Sequence, residues 1–422
     1  GADLMDVPKL KDDCFALPPG IDWTPVDTAL GMLRERLSAV VGQETVPVAM
    51  ADGRILATTI DAKRANPPTA NSAVDGFGFA HASLGTGVQI LPLVNGRSAA
   101  GQPFNGKVPL GHALRILTGA EVPPDIDTVI LQEDVAASDT SISFQPGLRK
   151  GANTRRAGED VAAGATLFTA GHRLTPQDIA LLSAVGVADC AVHKRLRVGV
   201  LSTGDELKQP GQTATLAQIY DANRPMLLAM LARWGCQPVD LGHVGDNRDA
   251  LRTRLNQAAT TTDAILTSGG ASAGDEDHVS ALLGSEGSLF TWRIALKPGR
   301  PLVLGQWLNV PVFGLPGNPV AAFVCALIFA HPALGLLGGG DWSTPQGFAV
   351  PATFAKSKKP GRREYLRARL TPNGSAETFT SEGSGRISGL SWADGLVELP
   401  DQAQDIKPGD PVRYYPYASF GL

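Results

Sequence analysis

Ala264–Val279 reads AILTSGGASAGDEDHV: a short apolar run, then hydroxyls and glycines, then the consecutive acids Asp275, Glu276 and Asp277. A segment that is apolar throughout and stops at glycine fits a strand buried on both faces, with a helix expected from the acids through Leu282. Outward from it, the same texture repeats. RVGVLSTGDEL starts at Arg197, a helix is expected around Arg224–Trp234, CQPVDLGHV runs from Cys236, and a second helix is expected around Arg248–Ala259. Strands alternating with helices predict a parallel sheet covered on both sides, a three-layer α/β/α module over residues 194–338. Ligands in such sheets bind beyond the carboxyl ends of the strands.

The flanks have a different texture. Thr24-Pro25-Val26-Asp27 and Thr175-Pro176-Gln177-Asp178 each open a predicted helix, with threonine as cap, proline at the first position and an acid at the third. Apolar Val26, Leu30, Leu33, Leu37 and Val41 keep helical spacing after the first, and Gly186 ends the second. Residues 46–150 hold short strands such as Leu114–Leu117 and Thr128–Leu131, cut by Gly, Pro and Asn, and read as an inserted β-rich domain. Residues 20–45 with 151–193 form an expected linking domain. Residues 341–422, with FAVPATF, EYLRARL, GLVELP and DPVRYYP, form an expected small β-barrel-like domain. The fold class is thus multidomain, α/β and β.

The 422 residues are 43% apolar, enough for several cores, and 37 basic against 41 acidic residues leave a net charge of −4, which gives no general footprint for nucleic acid or anionic lipid. Cys14, Cys190, Cys236 and Cys325 are scattered without CxxC spacing, which suggests neither a disulfide framework nor a thiolate zinc site. No basic-then-apolar leader opens the chain, and the apolar run Val320–Ala330 is too short to span a bilayer. These features lead us to expect a cytoplasmic protein without a membrane or nucleic-acid partner.

Chemistry concentrates in the loops after the strands. Ser202, Gly204, Asp205 and Glu206 follow the first strand, and Asp246 follows the second. Gly269, Gly270, Ser272, Gly274, Asp275 and Asp277 follow the third, and Pro316, Gly317 and Pro319 lead into an apolar helix over Val320–Phe329. Glycines let backbone N–H groups approach phosphate oxygens. The acids would repel phosphate unless they hold a hard cation such as Mg²⁺. Any single acid is equally well explained as a helix cap; several acid-bearing loops at one end of one sheet are not. Lys297, Pro298 and Arg300, in KPGRPL, place two cations in a stiff loop able to clamp an oxyanion. Asn71–Phe77 and Thr118–Ala120 form a further polar cluster, in which Asp75-Gly76 also reads as a simple turn. No HExxH, Walker loop or Gly-x-Ser-x-Gly elbow is present.

Together SAVDGF, LTGAEVPPDIDTVILQEDV, NTRRAGED, LSTGDEL, TSGGASAGDEDHV, KPGRPL, FGLPGNPVAAFV and RREYLRA, in this order, resemble the molybdopterin molybdenumtransferase family of the MoeA and gephyrin E-domain type, from about Pro19 to Tyr417. The resemblance implies insertion of molybdate into adenylated molybdopterin with Mg²⁺-dependent release of AMP, by attack of water or a molybdate oxygen on the phosphoanhydride. It also implies an elongated homodimer whose inserted domain completes the partner subunit's site, with an upstream adenylyltransferase and downstream molybdoenzyme chaperones as further partners. Residue by residue it implies catalytic roles for Asp75, Thr118, Glu206, Asp246 and Asp277, and metal ligation by Asp205, Asp246, Asp275 and Asp277. Nucleotide or pterin binding falls to Ser202, Gly204, Asp205, Gly269, Gly270, Ser272, Gly274, Pro316, Gly317 and Pro319. Molybdate binding falls to Lys297, Pro298, Arg300, Arg362 and Ser384.

The sequence departs from the family at Arg300 for lysine, at Val74 and Phe77 for methionine and tyrosine, and in SGRISGLS. These changes are compatible with a tungstate-using paralogue. A scaffold of the same fold and a molybdopterin adenylyltransferase are the competing readings. The retained acids weigh against the first, and the two additional domains weigh against the second.

Overall fold

The computed structural model describes residues 23–269, 278–291, 293–298, 302–380 and 386–422. The chain divides into two compact units: the residues up to Glu44 together with His193–Leu422, and Thr45–Val192.

The first unit is built on a six-stranded sheet in the order Gln237–Val244, Arg197–Thr203, Ala264–Ser268, Val310–Leu315, Val303–Trp307, Ser288–Thr291. The first four strands are parallel. The last two run antiparallel and finish one edge, which the expectation of a purely parallel sheet did not include. Strand periodicity sorts the core. Val198, Val200, Ala264, Leu266, Phe313 and Leu315 enter one apolar cluster with Leu227 and Leu231 of helix Asn223–Arg233. Their neighbours Leu201, Ile265 and Val312 enter another with Leu251 and Leu255 of helix Arg248–Ala258 and Leu282 of helix His278–Glu286. These three parallel strands are therefore covered on both faces, which is the three-layer arrangement.

The helix expected over Val320–Phe329 is longer than its apolar run. It continues through a π-type turn at Ala326–Ala330 into His331–Leu337, so that Pro332, which has no N–H to donate, sits in the first turn of the new segment. Pro319–Leu337 is thus long and apolar enough to cross a membrane by composition, which corrects the length argument. It is 83% buried in the core instead.

A second sheet in this unit orders Leu296–Lys297, Arg363–Leu370, Gly395–Leu399, Pro411–Pro416 and Phe348–Pro351, over a core that includes Val397, Leu399, Val412 and Tyr414. Its first member comes from the KPGRPL segment, far from the rest in sequence. Helix Val26–Arg36, grouped above with 151–193, packs Val26, Ala29 and Leu33 into the α/β core of this unit, whereas 151–192 lies in the other.

In the second unit a six-stranded sheet orders Thr128–Leu131, Gly76–Phe79, Ala113–Ile116, Gln89–Ser98, Ser141–Phe144 and Ala136–Ala137. Phe77, Phe79, Ile130, Ile142 and Phe144 fill its core. A separate core gathers Leu56, Leu174, Leu182, Val185 and Val192 around helix Pro176–Ala184.

Candidate functional site

The first unit turns over at strand Arg197–Thr203. The chain leaves it for one neighbour, Gln237–Val244, and then crosses to the other, Ala264–Ser268. At such a reversal the loops beyond the strand ends part and leave a crevice. Asp205 and Asp246, both exposed, meet there: Asp205 Oδ1 accepts the Asp246 N–H at 2.9 Å. Gly245 permits the approach, since a Cβ on it would lie 2.6 Å from Asp205 Oδ1. Gly204, at φ 136°, gives its carbonyl to the His243 ring and leaves room for the Glu206 carboxylate, which would lie 2.8 Å from a Cβ at that position. Gly269 borders Thr203 across the gap, 3.7 Å from its hydroxyl to an added Cβ. Pro316, Gly317 and Pro319 are half-buried, and Asn318 caps the next helix by accepting from Val320 N and Ala321 N at 3.0 and 3.2 Å.

Among the described residues no three His, Cys, Asp or Glu side chains gather as a metal cluster. Asp205 and Asp246 nonetheless form a pair of exposed hard oxygen donors, the set that suits Mg²⁺ bound through one or two carboxylates plus phosphate. Gly270, Ser272, Gly274, Asp275, Asp277, Arg300 and Ser384 lie outside the described residues.

Beneath the crevice runs a buried polar layer that the sequence reading missed. Ser202, assigned there to substrate, is fully buried and donates its hydroxyl to Asp221. Arg224 Nη1 donates to Asp221 Oδ2 at 2.7 Å and to Ser202 Oγ at 3.2 Å, and its Nε lies 2.9 Å from Asp240 Oδ1. Asn223 Nδ2 donates to Ser268 Oγ at 2.7 Å and to the Gly317 carbonyl at 2.9 Å. A local signal existed: DANR crowds three polar residues into the start of the apolar helix PMLLAML, where a single cap would suffice.

A cleft opens in the same unit, lined by Lys297, Pro298, Val320, Glu364, Arg367 and Phe379 among others. Lys297 pairs in register with Glu364, 3.9 Å from Nζ to Oε1, and Lys356 approaches the other carboxylate oxygen at 3.5 Å. Arg362, half-buried, immediately precedes this strand. Arg363 is spent on Asp27, at 2.8 and 3.0 Å, and on Asp401 at 3.1 Å. Arg367 stacks over Phe379 at 4.8 Å and donates to the Arg386 carbonyl at 2.6 Å; burial pulls its pKa down. Two lysines thus flank one carboxylate. Val320 belongs both to this wall and to the helix opened by Pro316–Pro319, so the start of that helix borders the cleft.

In the second unit, Asp75 and Thr118 come together from 43 positions apart: Asp75 Oδ1 accepts both the N–H and the hydroxyl of Thr118 at 2.8 Å. The backbone hydrogen bond first, and the hydroxyl next, hold the Asp75 carboxyl below its ordinary value. Asp75 does not turn a hairpin. It enters the strand Gly76–Phe79, where Gly76 passes so close to the Ile130 carbonyl that a Cβ would lie 1.8 Å from its oxygen. Phe77, at the departure noted above, is buried under the Arg115 guanidinium, 5.8 Å from the ring centre.

Three family descriptions match in succession: the MoeA N-terminal region (domains I and II) over residues 24–186, a probable molybdopterin binding domain over 199–335, and the MoeA C-terminal region (domain IV) over 349–417. The chain is 33% identical over 398 residues to a molybdopterin molybdenumtransferase of Haemophilus influenzae, covering 93% of this chain and 98% of that one. It is 32% identical to molybdopterin molybdenumtransferase 2 of Mycobacterium tuberculosis, with 88% and 94% covered. A solved molybdopterin biosynthesis MoeA protein from Pyrococcus horikoshii superposes with a TM-score of 0.80 at 25% identity, over 94% of this chain and all of that one.

Proposed function

Because this chain belongs to the MoeA family of molybdopterin molybdenumtransferases, we propose that it completes molybdenum-cofactor assembly by inserting molybdenum from molybdate into molybdopterin. In the finer reading the pterin arrives adenylated and AMP is released. The observation that carries this is that one unit holds both an acid-bearing crevice at the strand ends and a cleft lined by Lys297 and Arg367, with Val320, from the helix that Pro316–Pro319 opens, in the wall of the second. An adenylated pterin needs the first, and a tetrahedral oxyanion needs the second.

Lys297 and Arg362, with Arg300 and Ser384 of the neighbouring segments, hold molybdate, and Pro298 stiffens that wall. Gly204, Gly269 and Gly317, with Gly270, Ser272 and Gly274, present backbone groups to the adenylate. Asp205 and Asp246, with Asp275 and Asp277, are the residues that would hold Mg²⁺, which supplies neutralisation of the leaving phosphate's charge. Glu206 and Asp246 orient the attacking oxygen. Water or a molybdate oxygen adds to the pterin-side phosphorus, the bond from that phosphorus to the bridging oxygen breaks, and AMP departs carrying that oxygen and its charge. A homodimer in which Asp75 and Thr118 act at the partner's site completes the reading. An adenylyltransferase supplies the substrate class, and a chaperone or apoenzyme takes up the product.

The test is direct. Purified protein is mixed with adenylated molybdopterin and Mg²⁺, with and without molybdate, and AMP is followed. Release that depends on molybdate is expected; release that is absent, or indifferent to molybdate, overturns the proposal.

A further inference from the structure

Asn223 is 5% exposed and begins the helix Asn223–Arg233, under the ends of the parallel strands. Both of its amide protons are committed, and to different loops. One goes to Ser268 Oγ at 2.7 Å, the last strand residue before Gly269, and the other to the Gly317 carbonyl at 2.9 Å. Its Oδ1 is buried without a hydrogen-bond partner among the described residues, so one acceptor remains for a donor. Next to it, Asp221 accepts from the Arg224 backbone N–H at 3.2 Å and from its guanidinium at 2.7 Å, which fixes the helix start. The side chain is thereby held against a rigid floor.

We infer that Asn223 is a positioning residue for the adenylate: by tying Ser268 to Gly317 it sets the spacing of the two glycine-bearing loops that receive the nucleotide. The inference rests on the adenylate reading above. A carboxamide suits the task because it is short, planar and carries two donors in fixed divergence. Serine would offer one donor and aspartate none, and glutamine would place its donors a methylene too far. Loops held within a fraction of an ångström by such ties bind without first having to be ordered.

The experiment is a calorimetric titration of AMP, in the presence of Mg²⁺, into the native chain and into Asn223→Ala, Ser268→Ala and the double variant. The molybdate concentration for half-maximal AMP release is measured alongside. We expect AMP to bind about tenfold more weakly to Asn223→Ala and a few-fold more weakly to Ser268→Ala. The double variant should be no worse than Asn223→Ala, since both changes cut the same tie. The molybdate half-saturation should stay at the native value, because the Lys297 cleft is untouched. Native-like AMP affinity in a folded Asn223→Ala overturns the inference, as do additive losses in the double variant or an equal loss of AMP and molybdate saturation. If Asn223→Ala does not fold, native-like AMP affinity in Ser268→Ala overturns it alone. A native chain that does not bind AMP overturns the adenylate reading, and the inference with it; native binding with unaffected variants overturns only the inference.

Discussion

Asp75 in one unit and Asp205 in the other each give one carboxylate oxygen to the backbone N–H of a distant loop, at 2.8 and 2.9 Å. What donates differs. Thr118 adds its hydroxyl to the same Asp75 oxygen, so a solitary charge is locked in its ionised form. The donor to Asp205 is the backbone of Asp246, itself an acid, so folding brings a second acidic residue next to the first. In one geometry the donor residue is neutral; in the other it is a second acid, at an exposed place that a cation can reach. An acid at a strand end is thus not one kind of feature, and its donor tells which kind it is.

The largest effects should come from removing either charge. Asp75→Asn and Asp205→Asn should each lower AMP-release turnover by about 100-fold or more. If the proposed homodimer shares its sites in this way, the two variants co-expressed should recover roughly a quarter of native turnover, since half of the dimers would be mixed and one site of each would have neither defect. No recovery would mean that both acids serve the site of their own chain. Thr118→Ala, which keeps the N–H and loses the hydroxyl, should cost about tenfold in turnover. Thr118→Ser should stay close to native. If serine behaves like alanine, the hydroxyl is not the group that matters.

The smallest effect is a titration. The Asp75 folded value lies below its ordinary 3.8, so what it contributes to stability is present above that value and is lost as pH falls through the lower folded one. In Thr118→Ala the folded value should rise toward the ordinary one, so the contribution is smaller and its loss is complete at a higher pH, because one of the two bonds holding the ionised form is gone. Carboxyl-carbon NMR of Asp75 in the full chain reads the shift. An unmoved titration would assign the depression to the backbone N–H alone.

How far the sequence could be read is clearest in the twin openings Thr24-Pro25-Val26-Asp27 and Thr175-Pro176-Gln177-Asp178. The second folds as written, with Thr175 and Asp178 closing a reciprocal capping box. In the first, the helix begins at Val26 with no side-chain cap, Thr24 bridges Ile294, and Asp27 reaches Arg363. Identical local chemistry was overruled by partners hundreds of positions away. The same holds for function. The strand-end loops and Lys297 stood out because each carries its own local pattern; Asp75 with Thr118 did not, since its own residues read equally as a turn and only the family resemblance singled them out. Glu364 and Lys356 were not legible, because nothing in the sequence near either names the other, or Lys297, as its partner. Arg367 was hidden likewise, since its place in the cleft depends on which strand pairs beside Leu296–Lys297.

That two-residue strand has a consequence for anyone dividing the chain. Leu296–Lys297 belongs by sequence to the α/β module but is an outer member of the carboxyl-terminal sheet, paired in parallel with Arg363–Leu370. A fragment cut at the apparent boundary near Gly340 would carry the sheet without this strand and expose a row of unpaired backbone groups, an invitation to self-association. Its other half would keep Lys297 but lose the Glu364 that balances it. A transplant of the carboxyl-terminal module between relatives would therefore have to carry a seam of the donor's α/β module with it.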